Sequence, residues 1–511
     1  MRKIVIDPIT RIEGHLKIEA LVDRGEVKEA HSSGTLFRGI ELILQGRDPR
    51  DATRITQRIC GVCPTAHATA SSTALDNAFG VADRIPANGQ TIRNLILGCN
   101  FIQSHVLHFY HLAALDYVDV TTVADYEGSD PGLASARRFL ERGEAGPFVP
   151  RYEGDYRLPK DLAQAATAHY LQAFDVRRKA HELLAVFGGK MPHSVGIVPG
   201  GVTMIPEVDT IAAFLWRLNE IRTFIDGIYL PDVLAVAEHY PDYFEIGAGC
   251  RNVLDYGGFP QEGGKLLEGG TLGPDLAPLD LDPARITESV EHSWFDDDQA
   301  SRHPSQGRTE PRPDKEGAYS WIKSPRYDGR VHEGGPLARI LLAYARGMPA
   351  VRPVVDDALA RFRAKPNVLF SVLGRHLARA VECKVVADAM ADWVLSLEPG
   401  GAVYAEYVIP DQGAGAGMVS APRGALGHWV RIEDKRIAHY QCVVPTTWNA
   451  SPKDDRGQPG AIEQAMIGTR IRDEGNPFEI VRIVRSFDPC LACAVHLVTP
   501  KGRNLAHVRV A

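Results

Sequence analysis

The sequence predicts an α+β protein that is predominantly helical, with a central bundle of long helices and small peripheral β-sheets. Long stretches bounded by proline or glycine carry apolar residues at spacings of three and four, which indicates amphipathic helices. Helices of this length bury their apolar faces most readily against one another. Short alternating segments near both ends favour small sheets. The predicted bundle helices span about 89–117, 159–187, 206–238 and 367–396.

The remaining elements are shorter. Predicted strands cover 3–6 and 15–22, with a turn at 23–25 leading to a partner strand, and alternation at 403–409 and 428–444 predicts a second small sheet. Three shorter helices are predicted at 38–45, 66–79 and 460–472.

Two glycine-rich regions have separate interpretations. The Gly-, Pro- and Asp-rich span 241–335 is predicted to be an insertion that covers the bundle, with a location at a subunit face left open. The glycines at 413, 415 and 417 predict a loop that is flexible or allows close approach. They do not form a GxGxxG motif, so no nucleotide site is predicted.

Composition, charge and the length of apolar runs limit the classes of protein to which the chain can belong. The chain has 511 residues, with 44% hydrophobic and 24% charged residues, and is large enough for an extensive core. A net charge of -7 and a pI near 6.2 give no basic surface for nucleic acid. No apolar run reaches the roughly 18 residues of a transmembrane helix, and the N-terminus lacks the features of a secretory signal.

Four of the eight cysteines form two pairs, Cys60 with Cys63 and Cys490 with Cys493, at opposite ends of the chain. Two intervening residues let both sulfurs of a pair turn toward one point, so two pairs can supply four thiolates to one metal centre. Such a metal would connect the beginning of the fold to its end. The other four cysteines are isolated in sequence, and Cys99 and Cys383 lie on apolar helix faces, which predicts core positions.

The spacing alone leaves several kinds of site open. A structural zinc site, or one zinc and one redox pair, would also use two such pairs. In a zinc ribbon, however, the pairs lie about 15–20 residues apart. A chain of this size has no need of a metal to fold. Each pair is also followed closely by a histidine, His67 and His496. A catalytic or redox metal is therefore favoured.

The two thiol segments resemble the signature motifs of the large subunit of nickel–iron hydrogenases. They are residues 58–67 (RICGVCPTAH) and 488–496 (DPCLACAVH). Supporting segments are 7–15 (DPITRIEGH), 37–41 (FRGIE), 46–52 (GRDPRDA), 108–112 (HFYHL), 198–202 (VPGGV), 422–428 (PRGALGH) and 444–449 (VPTTWN). The resemblance covers nearly the whole chain. It implies that family's fold and an oxidoreductase that interconverts dihydrogen with protons and electrons.

The resemblance also implies the metal ligands. All four paired cysteines would hold nickel, and Cys63 and Cys493 would also bridge to an iron that carries carbon monoxide and cyanide. Cys60 and Cys490 would bind nickel alone. Dihydrogen would split heterolytically, with its proton passing to the sulfur of Cys490. Shared soft thiolates are suitable ligands for two such metals.

Further residues receive roles by the same resemblance. Glu13 would accept the proton from Cys490, and its closeness to a thiolate ligand would raise its pKa, which suits proton transfer at neutral pH. The other residues would lie around the metals. Arg423 with Pro422 would cover the diatomic ligands, and Thr446 would donate to a cyanide. Asp488 would orient Arg423, and His67 would be hydrogen-bonded to a bridging sulfur.

A second metal site and a processing step are implied near the C-terminus. Glu41, the carbonyl of Cys442 and His496 would hold magnesium or iron. Nickel-insertion factors and a maturation protease would then act on the chain, the protease removing residues 497–511 after His496. The mature protein would be a single intertwined unit, residues 1–496.

One departure from the family pattern lies at residues 103–105. Many standard members carry His-Asp-His there, whereas this chain has Gln103-Ser104-His105. In that respect it resembles the nickel–iron–selenium branch, whose selenocysteine falls where Cys490 stands. The chain is therefore interpreted as a cysteine form of that branch.

The resemblance finally implies a partner and a location. Once the paired cysteines are assigned, nothing else in the chain is expected to hold iron–sulfur clusters, so electrons would leave through the iron–sulfur small subunit. Export with that subunit would place the protein in the periplasm or on the periplasmic face of the membrane; the alternative is the cytoplasm. Two other classes are compared with this interpretation: the related quinone-chamber subunit of respiratory complex I, which lacks the thiol pairs, and a zinc-stabilised scaffold.

Overall fold

The computed structural model describes residues 1–143, 148, 151, 153–299 and 301–494. His496 and the extension 497–511 lie outside the described residues. The α-helices are α1 Ile40–Leu44, α2 Asp51–Thr56, α3 Pro64–Ala78, α4 Ala87–Val106, α5 Pro131–Glu141, α6 Lys160–Gly188, α7 Val208–Phe224, α8 Leu230–His239, α9 Pro336–Ala345, α10 Arg352–Arg361, α11 Val372–Leu395, α12 Pro445–Asn449, α13 Ala461–Met466, α14 Phe478–Ser486 and α15 Leu491–Ala494.

Four long helices form the centre of the fold. Helix α4 packs on α6 and α11, and α7 packs on the same two helices. The predicted stretches 89–117 and 206–238 are each continued by a π-helical turn, Leu107–Ala113 after α4 and Ile225–Tyr229 between α7 and α8. These turns keep the chain helical while they shift the face that it presents to the bundle.

Within the part of the chain that the structure describes, the strands are grouped in five small antiparallel sheets. They are β1 Arg2–Ile6, β2 Leu16–Asp23, β3 Glu26–Gly34, β4 Ile197–Val198, β5 Gly201–Val202, β6 Val253–Gln261, β7 Gly264–Leu272, β8 Pro278–Leu279, β9 Ile286–Ser289, β10 Ser324–Tyr327, β11 Gln412–Ala421, β12 Gly424–Glu433 and β13 Arg436–Val443. Positive φ angles at Arg24 and Gly25 form the tight turn between β2 and β3, as expected from the sequence.

The glycines at 413, 415 and 417 lie in strand β11 rather than in a loop. A Cβ atom at Gly415 or Gly417 would lie 2.1 or 1.9 Å from the carbonyl oxygens of Ala74 and Ala70 in α3. The expected close approach is therefore confirmed. The expected loop is wrong, because these glycines belong to a strand. Because these residues lack side chains, the strand packs directly on the backbone of the helix that follows Cys63.

Two further expectations need correction. Residues 403–409 alternate in hydropathy but form no strand; Tyr404 makes an isolated bridge to Gly201 instead. The helix expected at 460–472 ends at Met466, and Gly468 follows with a φ of 83°. A left-handed residue at that point stops an α-helix, which explains the shorter element.

One large hydrophobic cluster runs from Ile4 in the first strand to Ala494 in the last helix. It includes Cys99 and Cys383, both fully buried. The predicted class, a mostly helical α+β protein with a helix bundle and small sheets, is confirmed. Among the described residues, no helix is both long and apolar enough to cross a bilayer.

The packing of β11 on α3 can be tested with Gly417→Ala. The added methyl group meets the Ala70 carbonyl, so the strand must move away from the helix. We expect the free energy of unfolding to fall by about 1–3 kcal/mol, measured by denaturant titration. Gly227→Ala is the control, because a Cβ atom there meets nothing within 4 Å. Equal stability of the two variants would contradict the packing argument.

Candidate metal centre

The structure brings the four paired cysteines to one buried point. The shortest Sγ–Sγ distances are 3.0 Å between Cys490 and Cys493, 3.2 Å between Cys60 and Cys490, and 3.3 Å between Cys63 and Cys493. All four ligand atoms lie within 4.8 Å of one another, and all eight cysteines of the chain are free. One metal about 2.3 Å from each sulfur can bridge such a set.

The first pair lies between a short 3₁₀-helix, Gln57–Ile59, and α3. Cys60 is extended, Cys63 is the N-terminal cap residue of α3, and Pro64 starts the helix with a suitable φ. The backbone N–H groups of Val62 and Cys63 donate to Cys60 Sγ at 3.2 and 3.4 Å. Burial opposes ionisation, but contacts with the other thiols and the charge of Arg423 lower the pKa of Cys60 well below its usual value.

The second pair is fixed by the N-terminal segment of the chain. Leu491 N donates to the Glu13 carbonyl at 2.8 Å, and Glu13 forms a parallel bridge with Cys490. Gly14 adopts a φ of 82°, and a Cβ atom there would lie 2.7 Å from Leu491 Cβ. Glycine is needed at this position, since both the backbone conformation and the contact exclude a side chain.

Arg38 connects the two thiol segments. Its Nη2 donates to the carbonyl of Ile59, just before the first pair, and to the carbonyl of Ala492 at 2.5 Å. Its Nη1 donates to the Arg58 carbonyl at 3.2 Å. One half-buried guanidinium group thus holds both cysteine loops in place.

Arg423 is buried beside the sulfurs. Its Nε donates to the backbone carbonyl of Asp488 at 3.0 Å, and its Nη2 lies 3.0 Å from the Asp488 carboxylate. Its Nη1 donates to Ser104 Oγ at 3.2 Å. Ser104 therefore contacts the guanidinium group at the position where many standard family members carry aspartate.

A second buried arginine holds the segment before Arg423. Arg339 donates to the carbonyls of Ala421 at 3.0 Å and Pro422 at 3.1 Å, and it forms ion pairs with Asp255 and Glu382. Burial opposes ionisation of Glu382, but the charge of Arg339 lowers its pKa to about 2. The ion pair fixes the backbone on which Arg423 sits.

Thr446 helps to place the second pair. Its hydroxyl oxygen accepts a hydrogen bond from the backbone N–H of Cys490 at 2.9 Å, so the hydroxyl proton can be donated elsewhere. A small cavity adjoins the sulfurs on this side. It is lined by Cys63, Ala66, His67, Ala421, Arg423, Leu426, Pro445, Thr446, Cys490 and Cys493.

His67 lies on the side of Cys493. Its Nε2 is 3.5 Å from Cys493 Sγ, and its Nδ1 is 3.2 Å from Nε2 of His428. His428 Nδ1 in turn lies 2.9 Å from the hydroxyl of Tyr440. Burial lowers the pKa of His67 to about 4, so its ring is neutral at neutral pH. A neutral chain can donate from Tyr440 through both rings to the sulfur.

Glu13 lies directly against Cys490. Its Oε2 is 3.1 Å from Cys490 Sγ and accepts the backbone N–H of Ala492 at 3.0 Å. Burial raises the pKa of Glu13 to about 7, and the negative charge of Cys60 acts in the same direction. Such a carboxyl group can both take up and release a proton near neutral pH.

The second predicted metal site is brought together only in part. Glu41 is buried and accepts the backbone N–H of Cys442 at 2.8 Å, and its other oxygen is hydrogen-bonded to Thr309. A small cavity beside them is lined by Glu288, Lys323 and Ala494, among other residues. His496, the third predicted ligand, lies outside the described residues.

The α+β fold with a buried cluster of four thiols defines a metalloprotein whose site joins both ends of the chain. A nickel-dependent hydrogenase family model matches residues 38–496, and a HoxL-like model matches residues 3–33. The chain belongs to the nickel-dependent hydrogenase family. The predicted function as a catalytic large subunit, and the class of oxidoreductase, are confirmed.

Individual relatives agree with this assignment. The periplasmic NiFeSe hydrogenase large subunit of Desulfomicrobium baculatum is 44% identical, over 97% of this chain and 95% of its own length. The uptake hydrogenase large subunit of Rhizobium leguminosarum is 38% identical, over 100% and 97%. The structure of the Ni-Fe-Se hydrogenase from D. vulgaris Hildenborough in the reduced state has a TM-score of 0.88 at 42% identity, over 97% of this chain and 100% of that chain. The resemblance to the selenium branch is confirmed, with Cys490 in this chain.

Several residues of the site received no role from the sequence. Arg38 lies in a segment that resembles the family, but its link between the two loops depends on folding. Arg339 and Glu382 lie far along the chain from the motifs, and no local pattern marks them. His428 ends a matching segment, 422–428, which was the one available signal.

The link made by Arg38 can be tested with Arg38→Met. The variant loses charged hydrogen bonds to both cysteine loops. We expect the free energy of unfolding to fall by about 1.5–3 kcal/mol and the nickel content to decrease. Denaturant titration and elemental analysis measure the two effects. Arg47→Met is the control, since Arg47 is exposed and contacts one carbonyl away from the site. Wild-type nickel content in Arg38→Met would exclude this role.

Proposed function

We propose that this chain splits dihydrogen heterolytically and reversibly at a nickel–iron centre held by its four paired cysteines. The observation that carries the proposal is the contact of Glu13 with Cys490 inside the cluster of four thiols. A thiol cluster alone would suit zinc equally well. A carboxyl group with a pKa of about 7 against one of the ligands adds a proton acceptor, which a structural zinc site does not need.

The residues present fit the proposed centre. Soft thiolates favour nickel, and three of the four sulfurs line the adjoining cavity, among them those of Cys63 and Cys493, the two that are proposed to bridge. An iron with carbon monoxide and cyanide ligands would be held there by these two sulfurs. Arg423 and Thr446 also line this cavity, and both can donate hydrogen bonds to anionic cyanide. Pro422 would act through its position beside Arg423.

The protein's own part in the reaction is the movement of the proton. When bound, the two metals supply the site at which dihydrogen is polarised and from which electrons leave. Cys490 Sγ accepts the proton, and Glu13 Oε2, 3.1 Å away, takes it from the sulfur. Asp488 holds Arg423 over the site, and neutral His67 donates toward the sulfur of Cys493.

We further propose the partner and the setting. Electrons pass to an iron–sulfur small subunit, and the two chains are exported together to the periplasm; the Desulfomicrobium relative is named periplasmic. Glu41, the Cys442 carbonyl and His496 hold magnesium or iron. Nickel-insertion factors load the site, and a maturation protease then cleaves after His496.

The proton step predicts the behaviour of Glu13→Gln. Glutamine can still accept the Ala492 N–H, so both metals should stay bound, but it cannot take up the proton. We expect hydrogen oxidation to fall by at least about 10²–10⁴-fold, measured with an artificial electron acceptor. Glu19→Gln, a charge removal in β2 that breaks ion pairs with Lys3 and Lys17, should leave the rate unchanged. Full activity of Glu13→Gln with intact metals would remove Glu13 from the mechanism.

The composition of the centre can be measured directly. The purified large subunit should contain one nickel per chain and at least one iron, and it should show infrared bands of carbon monoxide and cyanide. Cys493→Ser should lose both metals and the bands, because this sulfur is proposed to hold both. Cys99→Ala, which changes a buried cysteine outside the cluster, should retain them. Zinc without nickel would support the scaffold alternative and contradict the proposal.

A further inference from the structure

Gln103 lies in α4 next to the first cysteine loop and is fully buried. Its Nε2 donates to the carbonyl of Val62 at 2.6 Å, inside the loop between Cys60 and Cys63. Its Oε1 accepts from Arg177 Nε at 3.4 Å and from His181 Nε2 at 3.3 Å. The side chain therefore spans the distance between helix α6 and the cysteine loop.

The orientation of this amide is dictated by its neighbours. An arginine is only a donor, so it must face the amide oxygen, and a backbone carbonyl is only an acceptor, so it must face the NH₂ group. The contacts of Arg177 and Val62 thus require the same orientation of the Gln103 amide. On the side of Gln103 opposite the cysteine loop, Arg177 and His181 line a surface groove with Phe174 and Lys190.

The Val62 carbonyl belongs to the same peptide unit as the N–H of Cys63. That N–H donates to Cys60 Sγ at 3.4 Å. Asn100 also donates to the Val62 carbonyl, at 2.9 Å, so the oxygen receives two hydrogen bonds. Donation to a carbonyl polarises its peptide unit and strengthens the hydrogen bond made by the N–H at the other end.

We propose that Gln103 is a positioning residue that controls one of the two backbone hydrogen bonds received by the sulfur of Cys60, the one from the Cys63 N–H. It holds the Val62–Cys63 peptide unit with its N–H directed at Cys60 and withdraws electron density from that sulfur. Hydrogen bonds to ligand sulfurs raise the reduction potential of a metal centre. The proposal rests on the proposed function, since it needs a redox-active metal bound to Cys60.

The test uses Gln103→Met in the enzyme assembled with its small subunit. Methionine is neutral and similar in size, but it neither donates to Val62 nor accepts from Arg177. We expect the midpoint potential of the nickel signal, titrated by electron paramagnetic resonance, to become more negative. Nickel and iron contents should stay at the wild-type level. Gln103→His provides the rescue, because an imidazole can donate on one side and accept on the other; its potential should lie near that of the wild type.

Gln164→Met is the matched control. Gln164 also donates its side-chain amide to a backbone carbonyl, that of Thr122 at 2.7 Å, but it is only partly buried and lies away from the cysteines. An equal shift in this control, or an unshifted potential in Gln103→Met, would overturn the inference. If Gln103→Met fails to retain nickel, Asn100→Leu replaces it, because it removes the other donor to Val62 and must shift the potential in the same direction.

The outcomes also separate this inference from the proposed function. A wild-type enzyme without nickel would overturn both. A wild-type enzyme with normal nickel, iron and infrared bands, combined with unshifted potentials in Gln103→Met and Asn100→Leu, would overturn only the role of Gln103.

Discussion

The site depends on the pairing of the two ends of the chain. Leu491 donates to the Glu13 carbonyl, and Glu13 N donates to the Pro489 carbonyl, so the N-terminal segment lies beside the second cysteine pair as a short parallel bridge. The same contact places the Glu13 carboxyl group against Cys490. Assembly of the cluster of four thiols and placement of the Glu13 carboxyl group are thus one structural event. Both require the segment around Cys490 to pack against the segment around Glu13.

Buried charges maintain the geometry around this contact. Arg339 and Glu382 are both fully buried, as are Arg423 and Asp488. Such pairs contribute little net stability, because desolvation offsets much of their attraction. They do restrict where the guanidinium groups can lie. Asp488 holds the side chain of Arg423, and Arg339 holds its backbone. Contacts inside the core, rather than surface loops, therefore direct the donors of Arg423 at the cavity beside the sulfurs.

Short-range patterns in the sequence predicted the bundle helices, the four cysteines and the acid beside them. The thiol pairs are recognisable because the two-residue spacing itself imposes the geometry, and Glu13 because the segment around it resembles the family. Contacts between residues that lie far apart in the sequence produce no such local pattern. The glycines of β11 look like a loop until helix α3 is known to lie against them, and 403–409 alternates like a strand although it makes only one isolated bridge. The role of Arg38 depends on two carbonyls that approach each other only after folding.

Residues 103–105, two of which depart from the standard family pattern, show how one turn of α4 contacts three parts of the site. Successive residues of an α-helix point about 100° apart. Gln103 contacts the first cysteine loop, Ser104 contacts Arg423, and His105 lies 2.8 Å from Glu382, the partner of Arg339.

A change in this turn therefore acts together on the first cysteine loop, on Arg423 and on Glu382. With serine in place of aspartate, Asp488 is the carboxylate that pairs with Arg423 among the described residues. Because a positive charge near thiolates stabilises them, the buried Arg423 favours an ionised sulfur in the cluster beside the cysteine loop that Gln103 contacts.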